Sequence, residues 1–466
     1  ETVSFWVDSL FYASFALADT GGMIFDRTTI GGQRTGTSTV TNQLPNGSLS
    51  GRVWYRNAAS TDAEVQAWGL ANRERYDLPV FQKHTKIGAT DKHNAFTSVE
   101  RWNGKLWLTY REATDHFNPP GVVRLWVSDD DGDTWTLART TGDAITLPTL
   151  DYRDPHLVST PGRLFWYYLE VDAAQSPTRG TYVTYTDDGV TWSTPVLVGL
   201  RGWWGWSPTY TDADEFLAIF YNLESPLDVQ DASNTTPIVV TTTSAHDLET
   251  GMQVAVADVV GNTAANGTWT VTVLTPTTLS LDTSVGNGAY VSGGTVTPSR
   301  QALYSSVDGL DWTLLIGGFN ATQAATEAKV IKLADDTYLS MSRVDSSTTY
   351  ILGTASVAAG PWSFSTKNYQ FQCPMVLRLS DGRVLCSGRI IGQQCPLDIL
   401  DPATGLINRF AQVGTVTESA YPGLCEVPAP AGEDGIWVAV SWYTRNLEGG
   451  TYRDIHFALV RVPDNA

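Results

Sequence analysis

One eight-residue pattern constrains this chain more than anything else in it. It reads Ser128-Asp129-Asp130-Asp131-Gly132-Asp133-Thr134-Trp135 at first, and Tyr185-Thr186-Asp187-Asp188-Gly189-Val190-Thr191-Trp192 at its second occurrence. A worn copy follows at Ser305-Ser306-Val307-Asp308-Gly309-Leu310-Asp311-Trp312. In the first copy Asp131-Gly132 is a tight-turn dipeptide between the strand-like runs 122–127 and 134–138. The Ser and Asp side chains before the turn have its backbone amides within reach, and Trp135 has room to fold back under it. One copy would say little. Three copies, in hairpins of similar length, predict a repeated four-stranded unit and, for such strands, a propeller.

The rest of the chain supplies the repeats. Strand-like runs at 94–99 and 106–110 are joined by Asn103-Gly104, and the next strand leads into the first patterned turn. Runs at 157–158, 164–168 and 181–185 repeat this, and runs at 208–210 and 216–221 begin a third unit. Three more units are expected at 327–357, 374–399 and 421–462, with turns at Asp335-Asp336, Asp381-Gly382 and Asp434-Gly435. The third unit is interrupted. Residues 233–300 are rich in Thr, Val and Gly, poor in charge, and carry a single Trp, Trp269. Runs at 251–256, 267–273 and 278–281 predict a small β-barrel there, either a rigid decoration or a sugar-binding accessory. Residues 1–80 do not follow the pattern. Arg52-Val53-Trp54-Tyr55 reads as a strand. Thr61-Asp62-Ala63-Glu64 is a capping box that opens a helix ending near Tyr76. This stretch is a small α/β module or a plain extension. The expected division is therefore 1–80, then 81–232 with 301–466, with 233–300 inserted.

Composition narrows the partners. A formal charge of -19 argues against nucleic acid and against an anionic membrane surface. An anionic substrate would have to be met by locally clustered Arg. Seventeen Trp and 41 Gly fit an all-β chain with many turns. Cys373, Cys386, Cys395 and Cys425 lack metal-ligand spacing and read as buried, small apolar residues. No metal site and no cofactor is expected. No signal peptide and no apolar run long enough to span a bilayer is apparent. The chain starts at Glu1 rather than Met, as an excised piece of something longer would.

In a propeller the first strand of each unit lines the central channel. Charged residues in or at the ends of apolar channel strands are costly to bury without a partner or a task. Glu327 opens the apolar run 328–331. Arg343 ends the run 338–342, Arg389 ends 384–388, and Tyr421 opens 422–424. Arg111 ends 106–110, and Asp115 lies one short loop beyond, with Glu112 and His116 as competitors for an acid role. Tyr152-Arg153-Asp154-Pro155-His156 opens the second unit. Trp203-Trp204-Gly205-Trp206 opens the third, where three Trp in four residues cannot all be core, and an exposed one suits stacking on a pyranose ring. Phe117-Asn118-Pro119-Pro120 reads as a rim loop. Each has a structural alternative: buried salt bridges for Glu327, Arg343 and Arg389, ring closure for Tyr421, a loop brace for Arg153 and Asp154, a hydrogen-bonded core histidine for His93.

The recurrent Ser-x-Asp-x-Gly-x-Thr-Trp turn resembles the Asp box of the sialidase superfamily, whose members are six-bladed β-propellers with these boxes on the outer rim. The resemblance implies an all-β, six-bladed β-propeller with a small inserted β-barrel and a short N-terminal α/β module. The candidate residues resemble the sialidase site as well. There, a Glu is followed one strand later by an Arg, a second Arg closes the same strand of the next blade, and a Tyr starts the last blade. Glu327, Arg343, Arg389 and Tyr421 stand in those places, and Asp115 matches the acid. A departure stands beside this. The family opens its first blade with Arg-Ile-Pro, and this chain has His93-Asn94-Ala95-Phe96, so one carboxylate-clamping Arg is replaced. Endosialidase-type propellers also lack the full Arg triad. The frame from His246 through Trp269 resembles barrel modules of phage tail proteins, a comparable one being inserted in phage endosialidases.

The resemblance implies a glycoside hydrolase acting on an acidic, sialic-acid-like glycan, in the manner of a phage depolymerase of bacterial surface polysaccharide. It would be extracellular or virion-associated, and a homotrimer if a tail protein. Tyr421 would be the nucleophile, Glu327 its base and Asp115 the acid. Arg343 and Arg389 would hold the substrate carboxylate, and Arg111, His93, Arg153, Asp154 and Trp206 would line the pocket. The chemistry is coherent, because a carboxylate nucleophile is repelled by the carboxylate at such an anomeric carbon and a neutral phenol is not. Two rival readings remain: a catalytically silent carbohydrate-binding propeller of a phage tail, and a glycosidase for a non-sialic sugar that uses Asp115 and Glu327 as paired carboxylates.

Overall fold

A computed structural model of the chain describes residues 80–464 apart from 89–90, 117–118, 142–149, 176–177, 224, 321–323, 392–394, 415–418 and 446–451, together with the backbone of three strands before residue 80. The helix expected over residues 61–76, the strand at 52–55 and the Phe117-Asn118 step lie outside the described residues. The described chain is all-β, relieved by a 3-10 turn at Thr263–Ala265. It divides into two compact units. The smaller comprises Glu1–Gln82, Pro428–Trp437 and Leu459–Ala466. In it, strands Leu10–Ala16 and Gly32–Arg34 flank Thr2–Val7 in an antiparallel sheet.

The larger unit, Lys83–Val427 with Val438–Ala458, is organised by six antiparallel meanders. Their leading strands are His93–Trp102, Leu150–Thr160, Trp203–Tyr210, Ala325–Lys332, Gln372–Arg378 and Ser419–Val427. Each leading strand packs against the next, and the sixth packs against the first, so the six close a cycle. The fourth strand of the sixth meander comes from far away in sequence: Val80–Ile87 pairs with Arg453–Val462. Single parallel pairs, Gly121 with Asp151 and Arg453 with His93, link the second, first and sixth meanders into one long sheet. Burial is high in the first two strands of a meander and falls toward the last. Phe216–Asn222, a second strand, is buried at every position, whereas Ser363–Lys367, a fourth strand, is exposed at nearly every one. Strands covered on both faces read as continuous apolar runs rather than as alternation, which is why the sequence marks them plainly.

The three patterned turns share one wiring. Ser128 Oγ accepts the Gly132 amide at 2.8 Å, and Asp130 Oδ1 accepts the Thr134 amide at 2.9 Å. Thr186 and Asp188 repeat this with the amides of Gly189 and Thr191, as do Ser306 and Asp308 with those of Gly309 and Asp311. The tryptophan of each turn then tucks against the preceding meander. Trp135 meets Phe457 of the sixth, Trp192 meets Trp107 of the first, and Trp312 meets Tyr167 of the second. Tyr167 Oη also donates to the Gly309 carbonyl at 2.7 Å. The turns therefore fasten neighbouring sheets to one another.

A closed six-stranded barrel, from Leu227–Ala232 to Thr295–Pro298, leaves the third meander after Phe216–Asn222 and rejoins it at Gln301–Ser306. Those two meander strands pair directly, Tyr221 opposite Gln301. Barrel residues Leu248, Met252 and Val254 share one apolar cluster with Trp203, Phe220 and Tyr304 of the meander. The barrel is thus packed onto its host sheet rather than tethered to it. All four cysteines are free thiols and buried.

Candidate active site

The leading strands share an irregularity that positions the chemistry. In five of them two residues stand opposite one on the second strand: Phe96-Thr97, Asp154-Pro155, Ser207-Pro208, Thr326-Glu327 and Cys373-Pro374. Such β-bulges bend a strand and re-aim its side chains. Phe96, Asp154, Ser207, Cys373 and, on the sixth leading strand, Tyr421 all have φ between +41° and +62°, a strained conformation for residues other than glycine. Proline follows four of the five, at 155, 208, 374 and 422. A bulge leaves its extra residue outside the ladder, so a residue with no N–H costs nothing there.

Glu327 is the hub. Its Oε1 accepts the Tyr421 phenol at 2.6 Å and Arg343 Nη1 at 2.9 Å, and its Oε2 accepts the Cys373 amide at 2.7 Å. The carboxylate is 4% exposed, so these three donors stand in for water. Arg343 is also matched by Asp345, whose Oδ1 lies 2.9 Å from Nε without the alignment of a hydrogen bond. Burial works against the Arg343 charge, but Glu327 and the neighbouring anions outweigh it, and the guanidinium is held more firmly protonated than usual. Arg389 differs. Its Nε and Nη2 both donate to the neutral amide oxygen of Gln372, and its guanidinium lies 6.0 Å from the centre of the Tyr421 ring. Burial, and then the Glu327 carboxylate, push the Tyr421 phenol well above its ordinary range. The phenol is therefore neutral and hydrogen-bonded to a base.

The second half of the site faces this one. Arg111 is wholly buried, with Nε 2.7 Å from Asp151 Oδ1 and Nη1 donating to the Asp115 carbonyl at 2.8 Å. Arg153 lies between Asp151 at 3.4 Å and Asp154 at 3.6 Å, with its guanidinium over the Phe96 ring. Asp154 is 3% exposed, and its Oδ2 has no hydrogen bond among the described residues. Burial pushes its carboxyl up to about 7, with Arg153 pulling down and Glu327 pushing further up. His93 and Phe96 both meet the His116 ring edge-on, and Phe96 meets Tyr421. Burial, and then Arg153 and its fellow cations, lower His116 to about 3, so it is neutral at physiological pH and no reservoir of protons. Two residues past Glu327, Lys329 Nζ donates to Ser207 Oγ at 2.9 Å, and burial lowers it to about 8.

Phe96, His116 and Asp151 link the ten residues singled out from the sequence into one contact network: Tyr421, Glu327, Arg343, Arg389, Arg111, His93, Arg153, Asp154 and Trp206 by their side chains, and Asp115 through its main-chain carbonyl. One detail is corrected. Trp206 is not an exposed stacking platform. It is 2% exposed, packed against Tyr421 at 5.7 Å and His156 at 4.7 Å, because its leading-strand position turns it into the ring. Trp204 is the more exposed member of that triplet. Sequence reasoning missed Gln372 and Cys373, which hold Arg389 and Glu327, and Asp151, which holds Arg111. The recurrent residue-plus-proline step at 154, 207, 373 and 421 was the available signal. Chemically, the cluster offers a neutral phenol on a carboxylate, a carboxyl that burial holds at about 7, and a guanidinium whose hydrogen bonds among the described residues run to a neutral amide. Among the described residues no group of His, Cys, Asp and Glu is arranged to hold a metal, and no helix is long and apolar enough to cross a membrane.

Residues 234–300, which hold five of the barrel's six strands, match the family described as the ubiquitin-activating enzyme E1 FCCH domain. No curated protein matches the chain. Among solved structures, the endosialidase of phage phi92 aligns with a TM-score of 0.44 at 10% identity, over 82% of this chain and 69% of that one. A Hadza microbial sialidase aligns at 0.45 and 12% identity, over 79% of this chain and 65% of that one. The sialidase of Trypanosoma rangeli, in complex with the inhibitor DANA, aligns at 0.51 and 10% identity, over 83% of this chain and 60% of that one. At this identity the likeness concerns the fold: the chain has a sialidase-like, all-β fold.

Proposed function

We propose that the six meanders are the blades of a sialidase-type propeller and that the chain is a glycoside hydrolase for an acidic, sialic-acid-like glycan. The observation that carries the reading is the 2.6 Å hydrogen bond from Tyr421 Oη to Glu327 Oε1. A phenol pushed up by burial is a poor nucleophile alone, and a carboxylate in this position takes its proton as the oxygen attacks. The Tyr421–carbon bond forms, the glycosidic bond breaks, and the leaving oxygen takes a proton from Asp115. Water then releases the sugar from Tyr421. Asp154, whose carboxyl burial holds at about 7, keeps its proton below neutral pH and there donates it to a sugar oxygen. Arg389 takes the substrate carboxylate, because its own hydrogen bonds run to a neutral amide while Arg343 is already matched by Glu327 and Asp345. From the resemblance of the barrel sequence to phage tail modules we further propose a virion or extracellular setting, and a homotrimer if the chain is a tail protein.

The test is a hydrolysis screen on acidic oligosaccharides with purified protein. Tyr421→Phe and Glu327→Gln should each lower turnover at least about a hundredfold while glycan binding persists. Binding by the wild type with no release of reducing ends would instead favour the non-catalytic, receptor-binding reading. If Arg389→Ala leaves the preferred substrate's turnover intact, no carboxylate is being clamped, and the paired-carboxylate reading on a non-sialic sugar takes precedence.

A further inference from the structure

We propose that the dipeptide Gln372-Cys373 sets the geometry of this site, with Cys373 a positioning residue for the Tyr421–Glu327 pair. The inference rests on the glycosidase reading above and adds to it the device that holds the two reacting groups together. Three contacts carry it. The Cys373 amide donates to Glu327 Oε2 at 2.7 Å, the oxygen that Tyr421 and Arg343 leave free. The Tyr421 amide donates to Cys373 Sγ at 3.3 Å. The Gln372 side-chain oxygen accepts both Nε and Nη2 of Arg389. Two adjacent residues of the fifth meander therefore touch the base from the fourth, the phenol-bearing residue from the sixth, and the clamp from their own sheet.

The thiol answers a specific need. Tyr421 stands at φ +50°, followed by Pro422, which has no N–H. The Tyr421 amide is the last donor before the irregularity, and a buried donor left unbonded is costly. Burial, and then Glu327, push the Cys373 thiol up to about 12, so it stays a neutral acceptor and adds no charge beside the base. At 2% exposure it is also closed to solution reagents. Gln372 serves the same economy of charge: a carboxylate in its place would neutralise Arg389 before any substrate arrived.

The experiment compares Cys373→Ala, Cys373→Ser and Gln372→Glu with the wild type. It reads kcat and KM on the best acidic substrate across pH, and hydrogen exchange of the Tyr421 amide. Cys373→Ala should lower kcat about ten- to a hundredfold with KM within about twofold, the signature of a misplaced reacting group. It should also quicken exchange at Tyr421. Cys373→Ser, which restores an acceptor, should recover most of both. Gln372→Glu should raise KM for the acidic substrate about tenfold or more. Wild-type kcat and unchanged exchange in Cys373→Ala would overturn the proposal, as would losses that serine fails to recover. If the wild type turns over no acidic glycan, the glycosidase reading falls. The exchange comparison then decides by itself: quickening in alanine reversed by serine sustains the positioning role, and no change ends it.

Discussion

At the scale of single residues, Asp154 carries the clearest thermodynamic consequence. Its carboxyl is buried, one oxygen has no hydrogen bond among the described residues, and its nearest cation, Arg153 Nε, stands off at 3.6 Å. Burial holds it at about 7 in the fold, against an ordinary value of 3.8. The folded state therefore binds this proton more tightly than the unfolded chain does. The sign follows: the fold is unpenalised below about pH 4 and loses stability as pH rises from there through 7. Asp154→Asn removes the penalty. It should be more stable than the wild type by about 2–4 kcal/mol at pH 8, taking ~1.4 kcal/mol per pH unit, and no different at pH 3.5. Denaturant melts at the two pH values check this. A variant less stable at pH 8 would mean that Arg153 satisfies the ionised carboxylate. The pairing of Arg153 with Asp154 was legible in the sequence as a motif. Its looseness was not, because distance and burial at a bulge depend on strands from other sheets.

At the scale of elements, the patterned turns and the bulges were unequally legible. The turns announce themselves, since Ser, Asp, Gly and Trp each meet a local need at a fixed offset. Their fastening role is also testable. Gly132 has φ +96°, and a Cβ there would meet Phe457 of the sixth meander at 2.1 Å. Gly104 sits in an ordinary hairpin at φ +76° with nothing within 4 Å. Gly104→Ala bears only the backbone cost, about 1–2 kcal/mol. Gly132→Ala bears that cost and displaces an aromatic ring of the preceding meander, a further ~1–3 kcal/mol. Thermal melts should rank the two variants in that order. Equal losses would mean that the turn does not press on its neighbour. The bulges, by contrast, leave only the proline after the strained residue, and proline alone has many other uses. Cys373 illustrates the loss. Its sequence reads as a small apolar core residue, which its burial fits, yet its amide and its sulfur both face the cluster.

At the scale of the molecule, the sialidase-like fold was legible because the same turn recurs three times. What closes the cycle was not. Val80–Ile87, the fourth strand of the sixth meander, precedes the regular pattern, and its partner lies at the far end of the chain. Pairing over that separation leaves no local mark. Charge behaves in the same divided way. The chain carries -19 overall, and in the site Arg111, Arg153 and Arg343 are paired with Asp151, Asp154, Glu327 and Asp345, whereas the hydrogen bonds of Arg389 among the described residues run to the neutral amide of Gln372. An acidic polymer approaching the site is repelled at long range and attracted at contact. Added salt screens the first effect before the second, because the screening length is about 10 Å at 0.1 M. The apparent KM for an acidic polymer should therefore fall about two- to fivefold between 10 and 100 mM NaCl, then rise above about 0.5 M as contact ion pairs weaken. A substrate bearing a single carboxylate should show mainly the rise, since long-range repulsion scales with the charge it carries. A KM for the polymer that climbs steadily from the lowest salt would mean that contact with Arg389, not the charge of the whole chain, governs binding at the mouth of the site.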